Sequence, residues 1–471
     1  MSRLLRSFRT ILPRASVISV VLALILVIAI PLARADPLAP TAPVAPLAPM
    51  ACAPDGVQAS GAKYRICMPA FGWNGDLLVY AHGYMAPNRP VGIPEEQMNL
   101  GGTYIPDAAN FLGYAFATTS YSVTGMAFKQ GLPDLVDLVH IFRTQHPTLK
   151  RVILVGVSEG GLITTLATEQ YPAVFNGGLA ACGPIGDFRR HVNYVADFRV
   201  VFDYFFPGLI PGSPVSVPDS LIANWTTSYY TNTVMPVINA PSSAISVTQL
   251  LDVTGVPYIP GDQANIDEGI SQELWYNVLG TNDAVIKLGG QPFDNHDRVY
   301  TGSLNDSALN AGAQRFTANP VALAEIEAYY QTAGRPLVPL VTLHTTKDQT
   351  VPYWHETLYR AKVVANNSTF RHDSIPIDRY GHCNFTLNEI IAALQLLQQR
   401  VTNPVSSPTP TATVTSTATA TVALTETPTP TATATPSVTA TATSATTTMT
   451  PTPTRTAIAK PFRAWLPLVL R

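Results

Sequence analysis

One serine in this chain stands in the setting that a nucleophile requires. Gly156-Val157-Ser158-Glu159-Gly160-Gly161 directly follows an apolar run, residues 151–157, and opens a helix pattern over residues 162–171. A serine hydroxyl attacks poorly until a base takes its proton. It must also stand clear of the surrounding chain to reach a carbonyl. A sharp strand–turn–helix elbow achieves this, with glycine on both sides where the backbones crowd. A bare Gly-x-Ser-x-Gly arises often by chance; the strand before it and the helix after it give it weight here.

A base must reach the same place. Of nine histidines, His382 lies in Asp378-Arg379-Tyr380-Gly381-His382-Cys383-Asn384-Phe385, after the last predicted strand and before the last predicted helix. Loops there sit at the C-terminal edge of an open parallel sheet, where sites form. His344, at the end of the preceding strand, is the rival. The chain order nucleophile, acid, histidine favours His382. That order also calls for a carboxylate after the strand 337–343, and Asp348 supplies it. Its task would be to fix the imidazole tautomer and stabilise the charged ring. Asp373 and Asp378 lie in or beside the last strand and fit that position less well. The developing oxyanion needs N–H donors. Glu159, just after the nucleophile, should give one. Tyr84, in the loop that ends Val79-Tyr80-Ala81-His82-Gly83-Tyr84, should give the other. His82 reads as a structural residue of that loop. Such chemistry needs no cofactor and no metal. Asp294, His296 and Asp297 match no strong metal pattern and read as a polar loop.

The elements around these residues alternate. Residues 62–68, 76–82, 114–120 and 151–157 are short strand-like runs bounded by Gly and Pro. Between the last two, Leu135, Val136, Leu138, Val139, Ile141 and Phe142 fall close to helical spacing. Late in the chain, runs 337–343 and 369–377 are each followed by a helix pattern, 353–364 and 386–399. Alternation of this kind predicts an α/β fold, a mostly parallel sheet with helices on both faces. Residues 185–334 break it. They carry few strand signals and many aromatics, among them Phe202, Trp225, Trp275 and Tyr276. A large helical lid insertion is expected, with most of its aromatics forming its own core.

The flanks differ in kind. In this 471-residue chain, four arginines within the first 14 residues precede an apolar run over 15–32 and then Ala33-Arg34-Ala35. This reads as an export signal over residues 1–35. An uncleaved anchor is the alternative, and either way the body lies outside the cytoplasm. Residues 36–55 form a Pro/Ala-rich lead, with ordered structure expected from near Gly56 to residue 403. Residues 404–459 are a Thr/Pro/Ala-rich stalk that lacks the apolar material to offset ordering. The tip, residues 460–471, is too short to span a bilayer; it reads either as a signal for cell-surface attachment or as a plain apolar end. The net charge of -2 gives no basic surface for nucleic acid. The four cysteines Cys52, Cys67, Cys182 and Cys383 permit two disulfides in an exported chain. Three pairings are open.

Residues 75–183 and 336–400 resemble the α/β-hydrolase superfamily in its esterase, lipase and serine-peptidase branches. The resemblance rests on His82-Gly83, Gly156-Val157-Ser158-Glu159-Gly160, Asp348 within an Asp-x-x-Val-Pro run, and Gly381-His382. It implies that fold, a Ser158–His382–Asp348 triad and an acyl-enzyme. In such folds the strand ending at Cys182 lies beside the nucleophile strand, with its end near the histidine loop. The resemblance thus implies a Cys182–Cys383 disulfide bracing His382. Tannase and feruloyl-esterase relatives also carry a half-cystine directly after the histidine. Its partner there directly precedes the serine, where this chain has Val157. The function expected is an exported carboxylic-ester hydrolase acting on a small-molecule or polymeric ester. One alternative is a serine exopeptidase that grips a substrate amine with a lid carboxylate: Glu268, Glu273, Glu325 or Glu327. The other is a stalked, surface-displayed binding protein that has lost catalysis.

Overall fold

The computed structural model describes residues 51–404. The expected export signal, residues 1–35, lies outside the described residues. So do the lead up to residue 50, the stalk from residue 405 and the tip.

Nine strands form one sheet. They are β1 (Ala51–Cys52), β2 (Gly56–Val57), β3 (Lys63–Met68), β4 (Asp76–Ala81), β7 (Ala115–Thr119), β8 (Arg151–Val157), β9 (Gly177–Ala181), β10 (Leu340–Lys347) and β11 (His372–Tyr380). A separate hairpin holds β5 (Asn99–Leu100) and β6 (Thr103–Tyr104). The spatial order is β1-β3-β7-β4-β8-β9-β10-β11, with β2 paired to β3. Every pairing from β7 to β11 is parallel, whereas β3 runs antiparallel to its neighbours. Central strands of such a sheet are covered on both faces, so their sequences are continuous apolar runs. All six residues of β4 and all five of β9 are buried.

One face is packed by α2 (Phe128–Gln145) and α3 (Glu159–Gln170). Leu135, Leu138, Phe142, Leu162 and Leu166 meet Val79 and Leu154 there. The other face is packed by α1 (Ile105–Phe111) and α12 (Leu387–Thr402), where Ala109, Leu394 and Leu397 meet Leu78, Ile153 and Leu179. Between β9 and β10 the chain leaves the sheet for seven α-helices: α4 (Phe188–Phe205), α5 (Asp219–Asn224), α6 (Met235–Ile238), α7 (Ala244–Thr254), α8 (Gln263–Lys287), α9 (Asp306–Gly312) and α10 (Pro320–Tyr329). A π-helical stretch, Trp225–Val234, joins α5 to α6. This insertion has its own core of Phe202, Trp225, Leu250, Ile270, Leu274 and Val278. After β10, α11 (Trp354–Ala365) returns the chain to β11.

Several boundaries differ from the sequence reading, and three have a plain cause. Ordered structure is already present before Gly56, because β1 (Ala51–Cys52) pairs with β3 and Cys52 is bonded to Cys67, its register partner. The strand expected over 337–343 starts only after Pro339, which has no N–H for a ladder, and it runs on to Lys347. The strand expected from residue 369 starts at His372, because Thr369–Arg371 forms a 3₁₀ turn.

The second disulfide joins Cys182, at the end of β9, to Cys383, across a sequence separation of 201. Disulfides belong to oxidising compartments. Closing so long a loop removes much entropy from the unfolded chain, a stabilisation of about 2–5 kcal/mol. A Cys182→Ser/Cys383→Ser double variant is therefore expected to unfold earlier in denaturant by that amount. A change below about 1 kcal/mol would show that the bond adds little stability.

Candidate active site

The elbow is a conformation that only its neighbours make tolerable. Ser158 has φ 56° and ψ -116°, a region that costs a non-glycine residue about 1–3 kcal/mol. Its N–H is tied to the Ala181 carbonyl at 2.9 Å. Glycine is demanded on both sides. A β-carbon on Gly156 would collide with the Gly160 carbonyl and with Thr164 Oγ1. One on Gly160 would strike the carbonyl of Ala81, and one on Gly161 would lie 2.8 Å from that of Ala181. The elbow thus presses α3 onto the ends of β4 and β9, and the serine is lifted at the sheet edge.

The loop after β4 lies against Ser158. A β-carbon on Gly83 would sit 3.4 Å from Ser158 Cβ. Gln97 anchors this loop: its Oε1 accepts from Gly83 N–H at 2.7 Å and its Nε2 donates to the Tyr84 carbonyl at 3.2 Å. His82 is buried and stacked on Tyr121, with ring centroids 4.0 Å apart. Burial pulls its imidazole down to about 4, so it stays neutral. Its place is structural, as the sequence reading has it.

His382 bridges the other two residues. Its Nε2 lies 2.8 Å from Ser158 Oγ, and its Nδ1 lies 2.8 Å from Asp348 Oδ2. Asp348 is fully buried, and its Oδ1 accepts the N–H groups of Thr350 (3.0 Å) and Val351 (2.9 Å). Burial alone would raise this carboxyl. The charges and hydrogen bonds of His382 and His344 outweigh it and hold Asp348 well below the usual carboxylate range. The histidine loop is fixed on both sides of the ring. Thr345 Oγ1 donates to the Gly381 carbonyl at 2.8 Å, and Cys383 is bonded to Cys182.

The rivals lie elsewhere. His344 is buried behind Asp348, with its Nε2 2.8 Å from the Val351 carbonyl. Asp373 pairs with Arg400, and Asp378 pairs with Lys347 at the surface. Asp294, His296 and Asp297 remain in one loop, where His296 pairs with Asp297.

Beside Ser158 opens a cavity of about 120 Å³, lined largely by apolar side chains such as Phe128, Phe188, Val195 and Phe293. Tyr84 and Glu159, expected as N–H donors, both line it. Neither N–H donates to another main-chain group among the described residues. Two features escaped the sequence reading. The Glu159 side chain is buried: Oε1 accepts from Ala127 N–H at 2.6 Å, and Oε2 has no partner among the described residues. Tyr276, on α8, also lines the cavity and packs edge-on against Tyr84, with centroids 5.5 Å apart. A signal existed for it. Gly269, Gln272, Tyr276 and Gly280 recur at three- and four-residue spacing, a small and polar stripe on one helix face.

The sheet order, the elbow and the loop placement make this chain an α/β-hydrolase in fold. A family model described as serine aminopeptidase S33 matches residues 122–235, which include the elbow. An o-phthalyl amidase from Xanthobacter agilis is 33% identical over 78 residues, or 16% of this chain and 17% of that protein. The chain thus matches about a sixth of that relative's length. Among solved structures, an esterase from Aspergillus oryzae is similar at 14% identity, covering 74% of this chain and 78% of that one, with a TM-score of 0.45. An acylaminoacyl peptidase from Pyrococcus horikoshii is similar at 10% identity, over 72% of this chain and 39% of that one, with a TM-score of 0.37.

Glu159 gives this site a pH signature. Burial pushes its carboxyl from 4.5 up to about 8. The folded state therefore holds the proton more tightly than the unfolded state. This contribution to stability is full below pH 4.5 and is lost as pH rises through about 8. Glu159→Gln keeps an acceptor for Ala127 and is expected to flatten the decline in unfolding free energy over that range by the order of a few kcal/mol. Parallel denaturant titrations of both proteins between those pH values check it. Equal slopes would mean that Glu159 is ionised in the folded state.

Proposed function

We propose that this protein is an exported serine hydrolase that cleaves carboxylic esters through an acyl-enzyme. The observation that carries the reading is the unbroken contact from Ser158 Oγ to His382 to Asp348, each step 2.8 Å, on a positive-φ elbow. His382 takes the hydroxyl proton as Ser158 attacks the ester carbonyl. Asp348 holds Nδ1–H, so that Nε2 is the basic nitrogen, and stabilises the imidazolium that forms. The N–H groups of Tyr84 and Glu159 receive the oxyanion. His382 returns the proton to the departing alcohol, and water then releases the acid by the same route. The apolar cavity suits an apolar or aromatic substrate group. The helical insertion acts as the lid, since α4 and α8 supply part of the cavity wall. Export is supported by the sequence signal at residues 1–35 and by the two disulfides. The stalk and tip would hold the enzyme at the cell surface.

A second reading, a serine exopeptidase, has one observation in its favour. Glu273 on α8 is fully buried, and neither carboxylate oxygen has a partner among the described residues. Burial and the charge of Asp348 raise its pKa well above the usual value. A substrate amine that reached it would supply the missing partner, although Glu273 itself does not line the cavity. The other lid carboxylates are less suited: Glu325 pairs with Lys129, Glu268 accepts from Gln272, and Glu327 is exposed.

Purified protein is expected to be labelled by a fluorophosphonate probe, and Ser158→Ala is expected to remain unlabelled. Turnover of a short-chain p-nitrophenyl ester should fall about a thousandfold or more in Ser158→Ala and Asp348→Asn. Faster cleavage of an aminoacyl p-nitroanilide, lost when its amine is blocked, would favour the exopeptidase. A folded protein that neither labels nor turns over would leave the stalked binding protein as the better account.

A further inference from the structure

His344 occupies a site that the proposed mechanism does not use. It lies in the buried part of β10, directly before Thr345, and is fully enclosed. Two buried carboxylates flank it. Nδ1 lies 3.4 Å from Glu356 Oε1 on α11, and Nε2 lies 3.5 Å from Asp348 Oδ2. Nε2 also lies 2.8 Å from the Val351 carbonyl, within the loop that carries Asp348.

The partners decide the protonation state. A carbonyl oxygen can only accept, so Nε2 must carry a hydrogen. A neutral ring would then turn the Nδ1 lone pair toward Glu356. Glu356 Oε2 already accepts from Thr342 Oγ1 at 2.7 Å and Ser374 Oγ at 3.0 Å, contacts that favour the ionised carboxylate. An acceptor facing a buried carboxylate is repelled, whereas an N–H there satisfies both groups. Both nitrogens therefore carry hydrogens. The remaining titratable groups that face the ring do not alter this. Tyr353 on α11 packs edge-on, with centroids 5.8 Å apart. His355 on α11 is held well below its usual range, first by burial, and stays neutral. His372 on β11 contacts Thr342 and is lowered by burial. His382 meets the far side of the same Asp348 oxygen.

We propose that His344 is a positioning residue of the triad, a buried imidazolium that ties Glu356 to the Asp348 loop and thereby sets Asp348 for His382. The inference rests on the triad reading given above. Burial opposes the charge, but contacts with Asp348 and Glu356 outweigh it and push the ring up to about 10. The Asp348 loop is thereby held from behind, at Val351 and at Oδ2.

The test uses the full protein and the double variant His344→Gln/Glu356→Gln, which removes both charges together and leaves no buried carboxylate alone. In ¹⁵N-histidine NMR, one imidazole is expected to stay doubly protonated to about pH 9 and to vanish from the variant. This readout needs no activity, so it survives failure of the triad reading, which fluorophosphonate labelling of Ser158 tests separately. With the ester substrate, kcat is expected to fall about 10- to 100-fold, with KM little changed. A purely structural His344 would lower the unfolding midpoint and leave kcat of the folded variant in place. A folded variant with wild-type kcat overturns the proposal, as does the absence of a persistent imidazolium in the parent.

Discussion

The site depends on how closely one helix can approach three strands. Helix α3 meets β4, β8 and β9 at Gly156, Gly160 and Gly161, where β-carbons would strike the backbone carbonyls of Gly160, Ala81 and Ala181. Such contact leaves no room for side chains, and the turn between strand and helix must be sharp. The cost is a serine held at positive φ. The surrounding sheet supplies the compensation, with Leu162, Ile163 and Leu166 buried against it. Further along α3, Gly178 on β9 repeats the principle, since a β-carbon there would meet Thr168 and Thr164. Cys182 and Cys383, beside the same site, also take positive φ.

Much of this was legible in the sequence for the same reason. Glycine at fixed offsets around a serine, after an apolar run and before a helix, records a steric demand. Strands β4 and β8 read clearly because their burial on both faces makes them continuous apolar runs. Asp348 and His382 were found from the positions of loops after strands. What escaped depended on contacts with no local signature. Strand β1 has two residues, too few for any period, and is held by a ladder and a disulfide to β3. Glu159 was read only as an N–H donor, because its side-chain direction depends on where Ala127 lies. Tyr276 looked like lid core, and only the placement of α8 over the serine brings it to the cavity.

Charge is handled by two opposite means around Ser158. Asp348 is buried yet ionised, because backbone N–H groups and two histidines surround it. Glu159 and Glu273 are buried with too few partners and are pushed toward the neutral acid. These buried carboxyl groups thus present different hydrogen-bonding faces, one purely accepting and the others able to donate.

The Cys182–Cys383 bond has a topological side as well. It turns the chain between those residues into a covalent ring that holds the whole helical insertion and Asp348. Cys182 follows the strand next to Ser158, and Cys383 follows His382 directly. A single backbone cut anywhere in the insertion opens the ring but leaves the half that carries Ser158 joined to the half that carries His382. Under the proposed export, a protease could nick the helical insertion while the halves that carry Ser158 and His382 remain one molecule.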